Sequence, residues 1–163
     1  MPPSVTPALV FSQLLKNNQP QAAAWVTGNT SAPQLSGLVK FYDTPYGGVL
    51  IESELFGLPN IQTSGSSDFY AMHIHENGDC SQSFTKTGEH YNPQHRLHPY
   101  HAGDLLPVLG NQGYAWEAFY DKRFSISDIL GRSVVIHSDS DDFSSQPSGN
   151  SGNKIGCGMI RRV

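Results

Sequence analysis

Hydrophobic and polar residues alternate most plainly in Val49–Phe56. Val49, Ile51, Ser53 and Leu55 fall on one face, and Leu50, Glu52, Glu54 and Phe56 on the other. Successive side chains along a strand point to opposite sides, so a period of two marks a strand with one face toward a core. Shorter apolar runs predict further strands at Ala22–Gly28, Leu35–Tyr42, Phe69–His75, Gly113–Tyr120, Val134–His137 and Ile155–Arg161. Turn residues separate them: Thr44-Pro-Tyr-Gly-Gly48 reads as a hairpin and Gly57-Leu-Pro59 as a stop. Ser125, Asp128 and Gly131 predict one short helical turn, with N-cap, cap-box partner and terminator in place. Residues 1–20 are rich in proline, carry a helical turn at Phe11–Lys16, and read as an arm outside a single domain of residues 21–163. Residues 60–67 and 139–153 are polar loops, and a longer one follows His75. Seven or eight short strands with two long loops result. Loops of that length in a compact domain are usually functional.

Composition fits this picture. Only 15% of residues are charged against 37% hydrophobic, and 16 glycines and 11 prolines favour short strands joined by turns over long helices. The formal net charge of −4 comes without a basic stripe or a block of like charge, which argues against nucleic acid or an anionic membrane as partner. An 18-residue apolar run, the signature of a spanning helix, is absent. The N-terminus lacks a basic region and a signal-length apolar stretch. The cytoplasm is therefore expected if Met1 is the native start, and an exported location with the signal removed otherwise. Cys80 and Cys157 allow one disulfide or two free thiols, the latter being usual in a cytosolic protein.

Chemistry concentrates in residues 73–104, which hold six of the seven histidines; the seventh, His137, ends an apolar run. Neutral imidazole is the commonest metal ligand in proteins, so such clustering asks for a metal first. His73 and His75 stand at strand spacing and face one side. With His90, His98, His101, Asp104 and His137 the set exceeds what one tetrahedral zinc needs and suffices for two adjacent ions. Imidazole without thiolate suits copper and zinc, and a carboxylate tilts one half toward zinc. The His-Glu-x-x-His motif of a zinc hydrolase is missing, since His75-Glu76 lacks its second histidine.

Five blocks in order resemble the copper/zinc superoxide dismutase family. They are His73-Ile-His-Glu-Asn-Gly-Asp79, Gly88-Glu-His-Tyr-Asn-Pro93, His101-Ala-Gly-Asp-Leu105, Val135-Ile-His-Ser-Asp-Ser-Asp-Asp142 and Gly149-Asn-Ser-Gly-Asn-Lys-Ile-Gly-Cys-Gly158. The resemblance implies an all-β, antiparallel Greek-key barrel or sandwich with two long functional loops. It implies superoxide anion as substrate and leaves room for a homodimer. It implies His73, His75, His90 and His137 as copper ligands, and His90, His98, His101 and Asp104 as zinc ligands, with His90 shared and acting as proton donor. Asp141 corresponds to the carboxylate linking a copper histidine to a zinc histidine, and Cys80–Cys157 to the family's disulfide. Lys154 stands where the family has an anion-guiding arginine; it keeps the charge but loses the planar fork, so reduced activity is expected. The zinc loop and the loop from His137 to Lys154 are both shorter than in the family's animal enzymes, and His95 is an extra histidine that could replace His98. The alternative is a dismutase-like metal-binding or structural module with weak or no turnover. Outside these positions the bland readings stand: His95 and Asp139 as loop residues, and Lys86, Lys122, Arg123, Arg132, Arg161 and Arg162 as solvated charges, of which one or two could shape the field around the entrance. Ser148 corresponds by the resemblance to a hydroxyl residue at the channel lip, with a plain loop serine as the alternative.

Overall fold

The structure, a computed structural model, describes residues 5–63 and 67–163. Among these residues a first helix, α1 (Pro7–Asn17), precedes nine strands: β1 (Ala22–Gly28), β2 (Ser36–Asp43), β3 (Val49–Phe56), β4 (Phe69–Tyr70), β5 (Met72–His75), β6 (Val108–Leu109), β7 (Ala115–Asp121), β8 (Ser133–His137) and β9 (Lys154–Arg162). A second helix, α2 (Ile126–Ile129), lies between β7 and β8. Seven strands form one curled antiparallel sheet in the order β5-β8-β9-β1-β2-β3-β7, and β4 pairs with β6. β4 precedes β5 by one residue, and β6 packs beside β7, so the small pair spans the two edges of the large sheet and closes the wall. The chain crosses from β3 to β5 and back from β7 to β8, as in a Greek key.

The alternation in β3 decides which face is inward. Val49, Ile51, Ser53 and Leu55 are wholly buried, and the three hydrophobic ones pack with Val26, Val39, Phe41, Ile74, Ile136 and Ile160. Each fully buried aliphatic side chain contributes roughly 1.5–3 kcal/mol, so this inward set carries the barrel. α2 forms where the capping pattern predicts it: the Ser125 N–H donates to Asp128 Oδ2 at 2.8 Å.

Several expectations change. α1 is eleven residues long, not a single turn, and ends at Asn18 in the left-handed region with its N–H bonded to the Leu14 and Leu15 carbonyls. None of its residues is buried; Phe11 rests on the rings of Tyr46 and Tyr120. The strand expected at Phe69–His75 breaks at Ala71, which gives its N–H to the Asp139 carbonyl and takes the His137 N–H. β6 and a 3-10 turn at Gln82–Thr87 carry neither a period-two apolar alternation nor a capping pattern. Of the polar loop at 60–67, residues 64–66 lie outside the described residues. Among the described residues no helix is long and apolar enough to cross a membrane.

Candidate metal centre

β5 and β8 run antiparallel, with His73 opposite Val135 and Ile74 opposite Val134. Opposed residues share a face, so His73, His75 and His137 project together while Ile74, Val134 and Ile136 point into the core. The histidines thus stand on the side of the barrel wall away from the core, under the loops. Two isolated bridges draw those loops in: His75 pairs with His90, and His73 with Asp104. All of His73, His75, His90, His98, His101, Asp104 and His137 are buried.

Two groups emerge, each with ligand atoms within 4.8 Å of one another: His73, His75, His90 and His137, and His90, His98, His101 and Asp104. His90 belongs to both. Its Nδ1 meets Asp104 Oδ1 at 2.7 Å and His101 Nδ1 at 3.4 Å, whereas its Nε2 is buried with no hydrogen-bond partner among the described residues. His73 Nδ1 is orphaned in the same way, and His75 Nε2 faces His137 Nε2 at 3.3 Å. Buried nitrogens without partners are costly unless something else satisfies them. A tetrahedral ion with bonds of about 2.0–2.1 Å sets neighbouring ligand nitrogens about 3.3–3.4 Å apart, which matches both contacts. The residues present therefore fit two metal ions.

Electrostatics favour the same occupants. Burial, reinforced by His90, holds His73 and His75 well below the usual imidazole range and brings His137 down to about 3. Burial also lowers His101. For Asp104 burial acts upward, but the His90 hydrogen bond and neighbouring imidazoles outweigh it and hold the carboxyl below its ordinary value. Near neutral pH these groups are lone-pair donors beside a carboxylate, as metal binding requires.

Asp141 lies between the groups: Oδ2 accepts from His73 Nε2 and Oδ1 from His98 Nε2, both at 2.8 Å. This fixes both rings and leaves each Nδ1 for the metal side. Gly149 packs against this bridge at φ +71°; a Cβ there would fall 2.0 Å from Asp141 Oδ1 and 2.6 Å from His98 Nε2. Lys154 donates to Thr87 Oγ1 at 2.8 Å and the Gly88 carbonyl at 3.2 Å, and that carbonyl also takes the His75 Nδ1 proton at 2.9 Å. Its charge is near enough to depress both His75 and His137. Cys80 and Cys157 form a disulfide and, with Phe84 and Val135, a small buried cluster under the segment that carries Thr87 and Gly88.

His95 is exposed and belongs to neither group, and Ser148 is a half-buried loop residue. Arg123 is not a freely solvated charge. It ion-pairs with Asp121 and donates to the carbonyls of His101 and Asp104. Gln146, which no motif singles out, brackets the backbone of His98. Nothing in the sequence pattern marks either contact, because both are made to main chain.

The family model for copper/zinc superoxide dismutase matches residues 35–160. The chain is 33% identical over 156 residues to superoxide dismutase [Cu-Zn] 3 of Arabidopsis thaliana, covering 86% of this chain and 89% of that protein. It is 34% identical to superoxide dismutase [Cu-Zn] of Legionella pneumophila, over 94% of this chain and 93% of that one. Against the extracellular superoxide dismutase [Cu-Zn] of Mus musculus identity is 34% over 78% of this chain, which spans about half of that longer protein, 54%. Among solved structures, the clock protein EA4 superposes with a TM-score of 0.75 at 31% identity, covering 88% of this chain and 96% of that one. With its barrel, its paired histidine groups and these matches, the chain belongs to the copper/zinc superoxide dismutase family.

Proposed function

We propose that this protein disproportionates superoxide, two O2•− and two protons giving O2 and H2O2, with copper on His73, His75, His90 and His137 and zinc on His90, His98, His101 and Asp104. Bound copper supplies the valence change the reaction needs, and zinc, which has none, supplies fixed charge and position. The observation that carries the reading is one buried imidazole shared by two ligand groups. His90 has one ring nitrogen committed to the Asp104 side and the other, on the His73 side, without a hydrogen-bond partner among the described residues, so Nε2 is the atom that can hold and deliver a proton. Asp141 keeps His73 and His98 in one tautomer each. Lys154 offers a cation beside His75, drawing an anion inward although the chain is acidic overall; superoxide dismutase is itself a standard illustration of such local fields.

The test is metal content together with superoxide turnover on copper- and zinc-loaded protein. Two metals bound with turnover is the expected result; two metals bound without turnover would leave a metal-binding module. We also propose a homodimer. Trp25, 66% exposed, lines one concave surface together with Leu38, Gly78 and Met159, and a contiguous exposed apolar patch marks a contact surface; light scattering gives the mass. Residues 21–163 form the catalytic domain and residues 1–20 an arm on this reading. Relatives include enzymes named extracellular, so a cytoplasmic and an exported location both suit the chain.

A further inference from the structure

Most of the ligand backbones in the centre are held by sheet pairing. His73, His75 and His137 lie on β5 and β8, and the bridges His75↔His90 and His73↔Asp104 tie in two more. His98 and His101 sit in no strand or bridge among the described residues. Side chains from elsewhere stand in for the missing ladder. The His98 N–H donates to Gln146 Oε1 at 2.9 Å, and Gln146 Nε2 donates to the His98 carbonyl at 2.7 Å. That is the two-way exchange a neighbouring strand would offer. Arg123 is anchored on Asp121, with Nε 3.0 and 3.1 Å from the two carboxylate oxygens. Its Nη1 donates to the His101 carbonyl at 3.0 Å and its Nη2 to the Asp104 carbonyl. Neither side chain hydrogen-bonds an imidazole nitrogen or the Asp104 carboxylate among the described residues.

We propose that Gln146 and Arg123 are positioning residues for the zinc side of the centre, setting its metal affinity by fixing the backbones of His98, His101 and Asp104. The inference rests on the assignment of His90, His98, His101 and Asp104 to zinc. An ion binds a preformed set of donors more tightly than one it must first gather, and His98 has no other backbone partner among the described residues. Arg123 matters through its planar fork, which reaches two carbonyls while still engaging a carboxylate; a lysine at that position keeps the charge against Asp121 and loses the reach.

The test uses the full chain as Gln146→Ala and, separately, Arg123→Lys. Three quantities are read: Co(II) and Zn(II) affinity of the second group by competition with a chelator, the visible d–d spectrum of bound Co(II), and Cu(II) affinity of the first group. Each variant is expected to lose about 10–100-fold in Co(II) and Zn(II) affinity, with an altered Co(II) spectrum and a much smaller change in copper binding. Gln146 is exposed, so its alanine variant keeps the fold should the lysine variant not. Unchanged cobalt affinity and spectrum in both variants would overturn the proposal. So would equal losses at both groups matched by a fall in the melting temperature of the metal-free protein, since that is general destabilisation. If the unaltered chain takes up no second ion, the zinc assignment itself fails, and that outcome is visible before any variant is made.

Discussion

Glu117 is a carboxyl in the wrong place for its charge. It lies on β7 directly opposite the wholly buried Ser53 of β3, so it points inward, and its Oε1 is buried with no hydrogen-bond partner among the described residues. Burial alone pushes its pKa from 4.5 up to about 7. Because the folded chain holds this proton more tightly than the unfolded one, the stabilisation is complete below pH 4.5 and is lost as the pH rises through 7. A gap of that size corresponds to about 3 kcal/mol, and the side chain's partial exposure screens it to about 1–2 kcal/mol. Glu117→Gln keeps the shape and removes the ionisation. The expected result is a variant that matches the parent near pH 5 and exceeds it by about 1–2 kcal/mol at pH 8, read from urea unfolding of the two metal-free proteins at a series of pH values. Burial is the single cause of the shift, so the titrating histidines cancel in the comparison. A stability difference that stays constant from pH 5 to pH 8 would refute the reasoning.

Lys154→Arg restores the planar fork and is expected to raise kcat/KM several-fold, whereas Lys154→Ala lowers it and flattens its dependence on ionic strength; stopped-flow superoxide decay at several salt concentrations checks both. Asp141→Ala removes the acceptor shared by His73 and His98 and is expected to cost about 10–100-fold in metal affinity at both groups, measured by chelator competition. Deleting residues 1–18 removes a helix with no buried residue, and the shortened chain is expected to fold, bind both metals and turn over with at most a small drop in melting temperature. Loss of folding in that deletion would show that the contacts of this segment, Phe11 on Tyr46 and Tyr120 and Asn18 on Lys40, are indispensable.

The barrel was legible where one face of a strand is apolar. Val49–Phe56 declared itself a two-faced strand through alternation, with the structure assigning the inward face, and Ser125 with Asp128 declared α2 through capping chemistry. α1 was underestimated because its apolar residues meet no core, so no burial pattern reinforces the period of the helix. Phe69–His75 looked continuous because the break at Ala71 is made by hydrogen bonds to Asp139 and His137, more than sixty positions away. At the centre, histidine spacing and family motifs singled out the residues that now cluster, since imidazoles announce metal chemistry by their type. Arg123 and Gln146 escaped because they act on carbonyls and an N–H, groups that every residue carries and no motif distinguishes. Gln82, Ser83 and Phe84 adopt left-handed backbone beside the disulfide although none is glycine, a conformation imposed by tertiary contacts such as the burial of Phe84.

Gly149 limits how this chain can drift over generations. A single added carbon would strike both ends of the His98–Asp141 hydrogen bond, one of the two that join the halves of the centre, and no rotamer relieves it because the collision begins at the backbone. Residues 144–147, a few positions earlier in the same loop, are exposed. Inherited variation should therefore divide sharply within one short stretch, with Ser144 and Ser145 open to exchange and position 149 closed to every other amino acid.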